Sequence, residues 1–434
     1  MQHSHPTTPA RILPSALIVP GAMLFVVGLG AFLLLKRAVG FDSYDLEVYL
    51  TGGDNFMHGL AVYDVQLHGT GTYFIYPPIT LLVFGPLSVL PFAVVEGVLF
   101  GLGVVALWAV VWLTFRMLGF GPGAGLVGAS LGVLGCALWL HPVNGTLDVG
   151  QINILLMFLV VADFAVGTRF PRLAGILIGV ATAIKITPAI FILYLLLTRR
   201  FRAALNATLT FSALTGLGFL VAPAESARYW FGGMIADTAR LLGPIPVGDV
   251  SNQSINGIAS RFFGESGGVV WLVLALAIGI GGLAVAVKAD RCGDPVAGML
   301  ACAITGLLIS PVSWHEHWIW VVPVGVWLGA TALRLGSRKP VLAGALLSPL
   351  VVFLAWPQES APGAVRPTSI LDPADSLWDE GSRNPIVALV GTAYVSVGVL
   401  ILAVGAWILF RPNSGMRTVE FAHSQSPPAA ISDR

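Results

Sequence analysis

SALIVPGAMLFVVGLGAFLLL, residues 15–35, is an apolar run without a single charged side chain. A helix of about twenty such residues is long enough to cross a bilayer. Arg11 precedes the run, Lys36 and Arg37 follow it, and no small-residue cleavage signature is present. The run therefore predicts a retained membrane anchor rather than a removed signal peptide, with residues 1–14 as a cytoplasmic tail.

The composition of the whole chain extends this prediction. Hydrophobic residues make up 56% of the 434 residues and charged residues 10%, and the mean hydropathy is +0.85. Because a soluble domain carries about a quarter charged residues, the composition excludes a water-soluble protein. A net charge of +1 gives no basic stripe for nucleic acid. The three cysteines lack metal-ligand spacing and imply no disulfide framework.

Further apolar runs indicate a polytopic protein. Since backbone inside a bilayer must satisfy its own hydrogen bonds, these runs predict helices. We expect an all-α bundle of about twelve membrane helices in a single domain over residues 15–410, followed by a disordered cytoplasmic tail over 411–434. The runs lie near 79–92, 94–115, 124–140, 151–167, 173–198, 203–222, 268–287, 296–310, 319–333, 340–356 and 386–410.

The positive residues in short loops predict the orientation. Arg199, Arg200 and Arg202, Lys288 with Arg291, the stretch 334–339 and Arg411 fall on one side, which the positive-inside rule assigns to the cytoplasm. Four loops then lie on the extracytoplasmic side and hold most of the Asn, Gln, Asp, Trp and His residues. These loops are 36–77, 223–266, 310–318 and 357–385.

The run 173–198 has two interpretations. Lys185 and Pro188 stand near its middle, so it is either one kinked helix or a hairpin of two short helices, and the side on which 141–150 lies depends on the choice. A lysine in an apolar run pairs with an anion or faces a polar cavity, and a lipid phosphate is a natural partner. Snorkelling to the interface is the alternative.

The first loop carries acidic residues beside the membrane. If Asp42–Leu50 is helical, Asp42, Asp45 and Tyr49 share one face, and Gly52-Gly53 ends the helix. A carboxylate beside a low-dielectric region has a raised pKa, which suits a general base. The alternative is that these acids only solvate the loop.

Three other segments hold candidate ligand-binding residues. Tyr76 is an interfacial aromatic residue, and Gln151 and Asn153 stand at a helix start, where amides also act as caps. The loop 223–266 mixes cations with amides, which suits a polyhydroxylated ligand carrying a phosphate, although an ordinary loop has a similar composition. Its polar residues are Arg228, Asp237, Arg240, Asn252, Gln253, Asn256 and Arg261.

The segment SWHEHWIW, residues 313–320, is rich in Trp and His. Trp314 fits an interfacial belt or a wall against which a sugar ring or lipid chain packs. His315 and His317 do not share a helical face and Glu316 is expected to point elsewhere, so a zinc site is not predicted. A histidine that contacts phosphate or shuttles a proton is the favoured interpretation.

Six ordered motifs together resemble a known family. YDLEVY, FIYPPITLLVFGPLSVLP, DVGQIN, AIKITPA, SNQSINGIASR and SPVSWHEHW are similar to the actinobacterial glycosyltransferase family 87, and the similarity extends from about residue 15 to 410. Members are polyprenol-phosphate-mannose-dependent mannosyltransferases of the GT-C superfamily. The chain most resembles the α-1,2-mannosyltransferases that extend phosphatidylinositol mannosides and lipomannan.

The resemblance implies a mechanism with assigned residues. Asp45 of YDLEVY stands where GT-C enzymes have an essential acid, and would take the proton of the acceptor hydroxyl in an inverting displacement at the anomeric carbon. Lys185, Arg261 and His317 would stabilise the leaving phosphate. The remaining substrate-binding candidates are Tyr76, Gln151, Asn252, Gln253 and Trp314. The lipid donor is the co-substrate, and no other cofactor is expected, although Asp42 with Asp45 leaves a divalent ion open.

The chain departs from the family pattern at one position. The family commonly has SWxHHW, whereas this chain has SWHEHW, so that Glu316 replaces the first of two adjacent histidines and His317 matches the second. Two alternative functions stay open. One is a transferase that uses polyprenyl-phosphate arabinose, and the other is a transporter or flippase of lipid-linked sugars. The absence of an internal repeat argues against the transporter.

Overall fold

The computed structural model describes residues 11–67, 72–237, 240, 242–243, 245–335, 340–354 and 391–410. Over these residues the protein is all-helical, and its only strand-like pairs are isolated bridges. Each predicted apolar run contains a helix. The α-helices are α1 (Ile18–Val39), α2 (Tyr44–Met57), α3 (Leu81–Ser88), α4 (Phe92–Met117), α5 (Ala124–Ala137), α6 (His141–Asp148), α7 (Asn153–Arg169), α8 (Ile176–Ile184), α9 (Ala189–Leu197), α10 (Phe201–Val221), α11 (Pro223–Phe231), α12 (Ile255–Phe263), α13 (Gly267–Arg291), α14 (Pro295–Ile309), α15 (Val321–Leu335), α16 (Pro340–Leu347) and α17 (Ala393–Phe410).

The predicted number of spans is not confirmed. Among the described residues, four helices are long and apolar enough to cross a membrane, namely Ser15–Val39, α4, α10 and α13. A fifth span results if α5 and α6, which meet at an angle of 76°, are counted together. The other predicted runs contain helices that are shorter or interrupted. The protein is therefore an all-helical membrane protein whose spans are less regular than the hydropathy pattern predicts. The predicted loop 357–385 and tail 411–434 lie outside the described residues.

The run 173–198 consists of two short helices. Helix α8 ends before Lys185, which has an extended backbone (φ −150°, ψ 132°), and α9 begins after Pro188. Pro188 has no N–H to donate to the Ile184 carbonyl four residues earlier, and its ring would clash with that carbonyl, which explains why α8 ends at Ile184. Lys185 consequently stands at an opening between two helices rather than on a continuous helical surface.

Helices α1 and α5 pack closely through glycines. A Cβ atom built on Gly21 would lie 1.8 Å from the carbonyl oxygen of Gly128, and one on Gly28 would lie 2.6 Å from that of Gly135. Only residues without a side chain allow two helix backbones to approach this closely. The first span is therefore an integral part of the bundle.

The two ends of α1 have different partners. At its start, the Arg11 amide donates to Gly119 O and the Arg11 carbonyl accepts from Gly121 N, beside the end of α4. At its other end, Lys36 Nζ lies 2.6 Å from Asp148 Oδ1. A third contact, Arg200 to Asp290 at 2.5 Å, brings together two loops that were predicted to share a side. The contact of Lys36 with Asp148 places residues 42–46 and 141–151 together at the Lys36 end of α1.

Helix α2 continues past the glycines predicted to end it. Gly52 and Gly53 lie inside the helix, which runs to Met57, so that prediction is wrong. The glycines serve close packing instead, because a Cβ atom on Gly53 would lie 2.3 Å from Phe84 O, and one on Gly52 2.3 Å from the Phe74 ring. The predicted sharing of one face by Asp45 and Tyr49 holds, while Asp42 precedes the helix.

Candidate active site

A cavity of about 700 Å³ opens at the Lys36 end of the bundle. Its walls come from α2, the link between α6 and α7, the break between α8 and α9, and the segment 310–317. Six of the predicted site residues line it, which brings together side chains up to 272 positions apart, from Asp45 to His317. The six are Asp45, Tyr76, Gln151, Lys185, Trp314 and His317.

The backbone around Asp45 fixes this residue in the first turn of α2. The amides of Asp45 and Leu46 donate to Val149 O at 2.9 and 3.2 Å, and the Ser43 amide donates to Asp148 O at 2.9 Å. These bonds satisfy helix N-terminal donors that have no partner within the helix. The start of α2 is thereby attached to the end of α6.

Gln151 orients the Asp45 carboxylate. Its Nε2 donates to Asp45 Oδ2 at 3.0 Å, while its Oε1 accepts from Tyr49 OH at 2.5 Å and Tyr76 OH at 3.0 Å. Because the Gln151 side-chain oxygen accepts from two hydroxyl groups, its amide nitrogen is the atom that faces Asp45. The two tyrosines therefore ensure that Gln151 presents an N–H group to Asp45.

The environment of Asp45 makes it a stronger base than an ordinary aspartate. Burial raises the pKa of Asp45, and the charge of Glu316 raises it further, while Lys185 and the Gln151 hydrogen bond act in the opposite direction. A general base works best with a pKa near the operating pH. The site thus has a carboxylate suited to removing a proton from a hydroxyl group.

Lys185 and His317 form a pair in the same cavity. Lys185 Nζ donates to Asn153 Oδ1 at 3.0 Å and lies 3.2 Å from His317 Nε2. His317 Nδ1 accepts from the Trp314 amide at 3.0 Å, and burial lowers the pKa of His317. The neutral ring therefore carries its proton on Nε2. Lys185 Nζ and the His317 Nε2–H group are therefore adjacent donors, and an anionic oxygen beside them would accept from both.

Glu316 also lines the cavity, so the prediction that it points elsewhere is wrong. Residues 315–320 form a 3₁₀ turn, and the cavity extends around this turn instead of meeting one face of it. Burial raises the pKa of Glu316 to about 7. His315 Nε2 lies 3.2 Å from Glu316 Oε1, and burial lowers the pKa of His315 to about 3. The imidazole of His315 is consequently neutral in this contact.

Three predicted site residues hold the loop beside the cavity and do not line it. Asn252 Nδ2 donates to Val247 O at 3.0 Å and its Oδ1 accepts from the Ser313 amide at 3.0 Å. Gln253 Nε2 donates to Val250 O at 2.7 Å and Gly391 O at 2.6 Å. Arg261 donates to Asp249 O at 2.6 Å. Their positions connect residues 247–253 to the segment that carries Trp314 and His317.

A second cavity of about 330 Å³ adjoins the first and is lined mostly by apolar side chains. Ile186, Thr187 and His317 line both cavities. The remaining wall comes from α7, α9 and α14, including Met157, Phe191 and Ile309. The first cavity, which holds the charged side chains, is called the polar chamber and the second the apolar chamber; they meet at His317, beside Lys185.

Comparison with known sequences assigns the family. The profile of glycosyltransferase family 87 (GT87) matches residues 74–311. This chain belongs to glycosyltransferase family 87. The matched segment contains Tyr76, Gln151 and Lys185, whereas Asp45 and His317 lie just outside it.

Three relatives of this GT87 chain match between 74% and 94% of its length. It is 34% identical over 395 residues, 89% of this chain and 86% of the relative, to the polyprenol-phosphate-mannose-dependent alpha-(1-2)-phosphatidylinositol pentamannoside mannosyltransferase of Mycobacterium tuberculosis. The enzyme of the same name from Mycolicibacterium smegmatis is 35% identical over 94% of this chain and 96% of its own. A phosphatidylinositol mannoside mannosyltransferase of M. tuberculosis is 31% identical over 74% of this chain and 78% of its own. No solved structure matches the chain significantly.

Sequence reasoning did not assign site roles to two residues of the GT87 cavities. Glu316 was set aside on helical spacing, which does not apply to a 3₁₀ turn with three residues per turn. Asn153 was considered as a candidate contact or a helix cap and received no assigned role, yet its side chain accepts from Lys185. The isolated lysine was the available signal, because a buried ammonium needs polar partners.

Proposed function

We propose that this protein transfers mannose from polyprenyl-phosphate-mannose to a phosphatidylinositol mannoside or lipomannan acceptor, and forms an α-1,2 bond on the extracytoplasmic face of the plasma membrane. The observation that carries the proposal is one cavity that holds both a hydrogen-bonded carboxylate, Asp45, and the Lys185–His317 pair. The volume lies within the range of ligand sites in proteins. The names of the characterised relatives supply the donor and acceptor classes.

The chemistry is a single displacement with inversion. Asp45 takes the proton of an acceptor hydroxyl as its oxygen attacks the anomeric carbon, and the bond from that carbon to the phosphate oxygen breaks. The phosphate diester becomes a monoester and gains negative charge. Lys185 and His317 stabilise that charge, since preorganised donors are most effective where charge develops.

The two cavities divide the substrates by polarity. The mannosyl group and the acceptor occupy the polar chamber, which Tyr76, Gln151 and Trp314 line. The polyprenyl chain enters the apolar chamber between α7, α9 and α14. Arg261, Asn252 and Gln253 act by holding the loop that closes the polar chamber. Surrounding membrane lipids contact the outer faces of the spans.

Transfer by the purified protein in detergent tests this function. We expect mannose transfer from synthetic polyprenyl-phosphate-mannose to a phosphatidylinositol mannoside. Because the proposed mechanism uses no metal ion, we also expect a chelator to leave the rate unchanged. Asp45→Asn is expected to lower kcat at least about a hundredfold, the usual size of a general-base contribution, with unchanged thermal unfolding. Asp54→Asn, a change in the same helix at a residue outside the cavity, serves as the control.

Two outcomes would refute parts of the proposal. A parental rate in the Asp45→Asn variant removes this residue from the mechanism. Preferential transfer from polyprenyl-phosphate arabinose would show that the donor sugar is arabinose and not mannose. A transporter moves its ligand between the two sides of a membrane without cleaving it. Cleavage of the donor in detergent, where no membrane separates two sides, therefore excludes the transporter class.

A further inference from the structure

Asn153, the first residue of α7, has an incompletely used side chain. It is 7% exposed and lines the apolar cavity. Its Oδ1 accepts from Lys185 Nζ at 3.0 Å. Its Nδ2 is buried and has no hydrogen-bond partner among the described residues. Because a buried unsatisfied donor is costly, the group calls for an acceptor that a ligand brings.

Several hydrogen-bond donors lie close to Asn153. His317 Nδ1 already accepts from the Trp314 amide, and Asn153 Oδ1 from Lys185. The remaining groups are the Asn153 Nδ2–H, the His317 Nε2–H and the Lys185 ammonium. The N-terminus of the 17-residue helix α7 adds partial positive charge at the same place. Asp45 and Glu316 supply negative charge from the adjoining polar chamber.

This environment fits a group with several acceptor oxygens at the boundary between the two cavities. We propose that Asn153 is a further binding residue for the lipid donor: its Nδ2–H donates to a non-bridging phosphate oxygen while its Oδ1 holds Lys185 in position. The inference rests on the proposed function in taking a polyprenyl-linked phosphate as the ligand. In this arrangement the phosphate contacts Asn153, Lys185 and His317, with the sugar on one side and the lipid on the other.

Binding of polyprenyl phosphate without a sugar tests the role of Asn153 directly. Asn153→Asp keeps an oxygen for Lys185 but removes the donor and adds a negative charge, and Asn153→Ala removes both functions. We expect each variant to bind polyprenyl phosphate about tenfold more weakly or worse, the usual effect of losing a hydrogen bond to a charged group. Binding of polyprenol, which lacks the phosphate, should be the same in all proteins.

Asn55 provides a matched control. It is also a buried asparagine, 8% exposed, whose Nδ2 has no partner among the described residues, but it lines neither cavity. Asn55→Asp is expected to bind polyprenyl phosphate as the parent does. In turnover, the Asn153 variants should raise the KM for the donor while leaving the KM for the acceptor unchanged, which a general loss of structure would not do.

The outcomes separate this inference from the proposed function. Parental affinity for polyprenyl phosphate in either Asn153 variant refutes the inference, even if mannose transfer is observed. Weakened binding in the variants together with no mannose transfer by the parent supports the phosphate site and refutes the proposed transfer to that acceptor. Inorganic phosphate that binds in an Asn153-dependent manner identifies the headgroup as sufficient, and binding confined to the lipid form shows that both chambers are needed.

Discussion

At the scale of single residues, the most informative interaction is the electrostatic effect of Glu316 on Asp45. Both line the polar cavity, and the charge of Glu316 is the second cause, after burial, of the raised pKa of Asp45. Glu316 stands where the common family motif has a histidine. Its carboxylate therefore makes Asp45 a stronger base. It also requires a higher pH before that base is ionised.

Replacement of Glu316 should shift the pH profile. Asp45 must be deprotonated to act, so activity falls as the pH drops through its pKa. Glu316→Gln removes a cause that raises this pKa, and we expect the acid limb of kcat/KM to move to lower pH by about one unit. Glu47→Gln, which removes a carboxylate outside the cavity, should leave the profile unchanged. An unmoved acid limb in Glu316→Gln would show that the two carboxylates are not coupled.

Much of the candidate site could be predicted at this scale. A lone lysine in an apolar run and an acid after the first span stand out because the chain carries few charges. Six of nine predicted residues line the cavity. Asn252, Gln253 and Arg261 do not line it, because their side chains bond to the backbone of neighbouring segments. Those partners depend on tertiary structure.

At the scale of elements, the packing of α2 on α3 determines where Asp45 stands. Gly52-Gly53 was read as a helix end because glycine commonly terminates helices. In the structure the same pair allows Phe84 O and the Phe74 ring to approach the α2 backbone. Sequence alone does not distinguish these two uses of glycine, since the second requires knowledge of the neighbouring helix.

A methyl group at this contact should be destabilising. Gly53→Ala places a Cβ atom 2.3 Å from Phe84 O, so α2 and α3 must separate. We expect a lower temperature of thermal unfolding in detergent, consistent with overpacking costs of about 1–3 kcal/mol, and a reduced kcat because Asp45 moves with α2. Gly97→Ala in α4, which meets nothing within 4 Å, should be neutral or slightly stabilising. Equal unfolding temperatures for the two variants would contradict the assigned role of Gly53.

At the scale of the whole molecule, the apolar runs predicted where helices lie better than how many cross the membrane. Each run contains a helix because the pattern reports burial from water. The run 173–198 is broken at Lys185–Pro188, and α5 bends by 76° into α6. Both breaks lie beside the polar site. The hydropathy pattern therefore predicts continuous spans least reliably next to that site.

The orientation predicts which surfaces a reagent outside the cell reaches. His58 lies in the first loop with a side chain 65% exposed, and Cys292 is an exposed residue after α13. The first protein carries His58→Cys and has the exposed native cysteines removed by Cys136→Ala and Cys292→Ala. We expect a membrane-impermeant maleimide to label this protein on intact spheroplasts. The native Cys292 should react only after the membrane is permeabilised. The reverse pattern would invert the topology and place the site in the cytoplasm.

The meeting of two chambers at Lys185 and His317 has a consequence for turnover. After transfer, the carrier lipid bears a phosphate monoester with more negative charge than the diester that entered. The same donors hold this spent carrier more firmly than the fresh one, because charge strengthens each hydrogen bond. We therefore expect the used lipid to compete with its loaded form, so that the pace of glycan extension follows how quickly the cell withdraws and recharges its carriers.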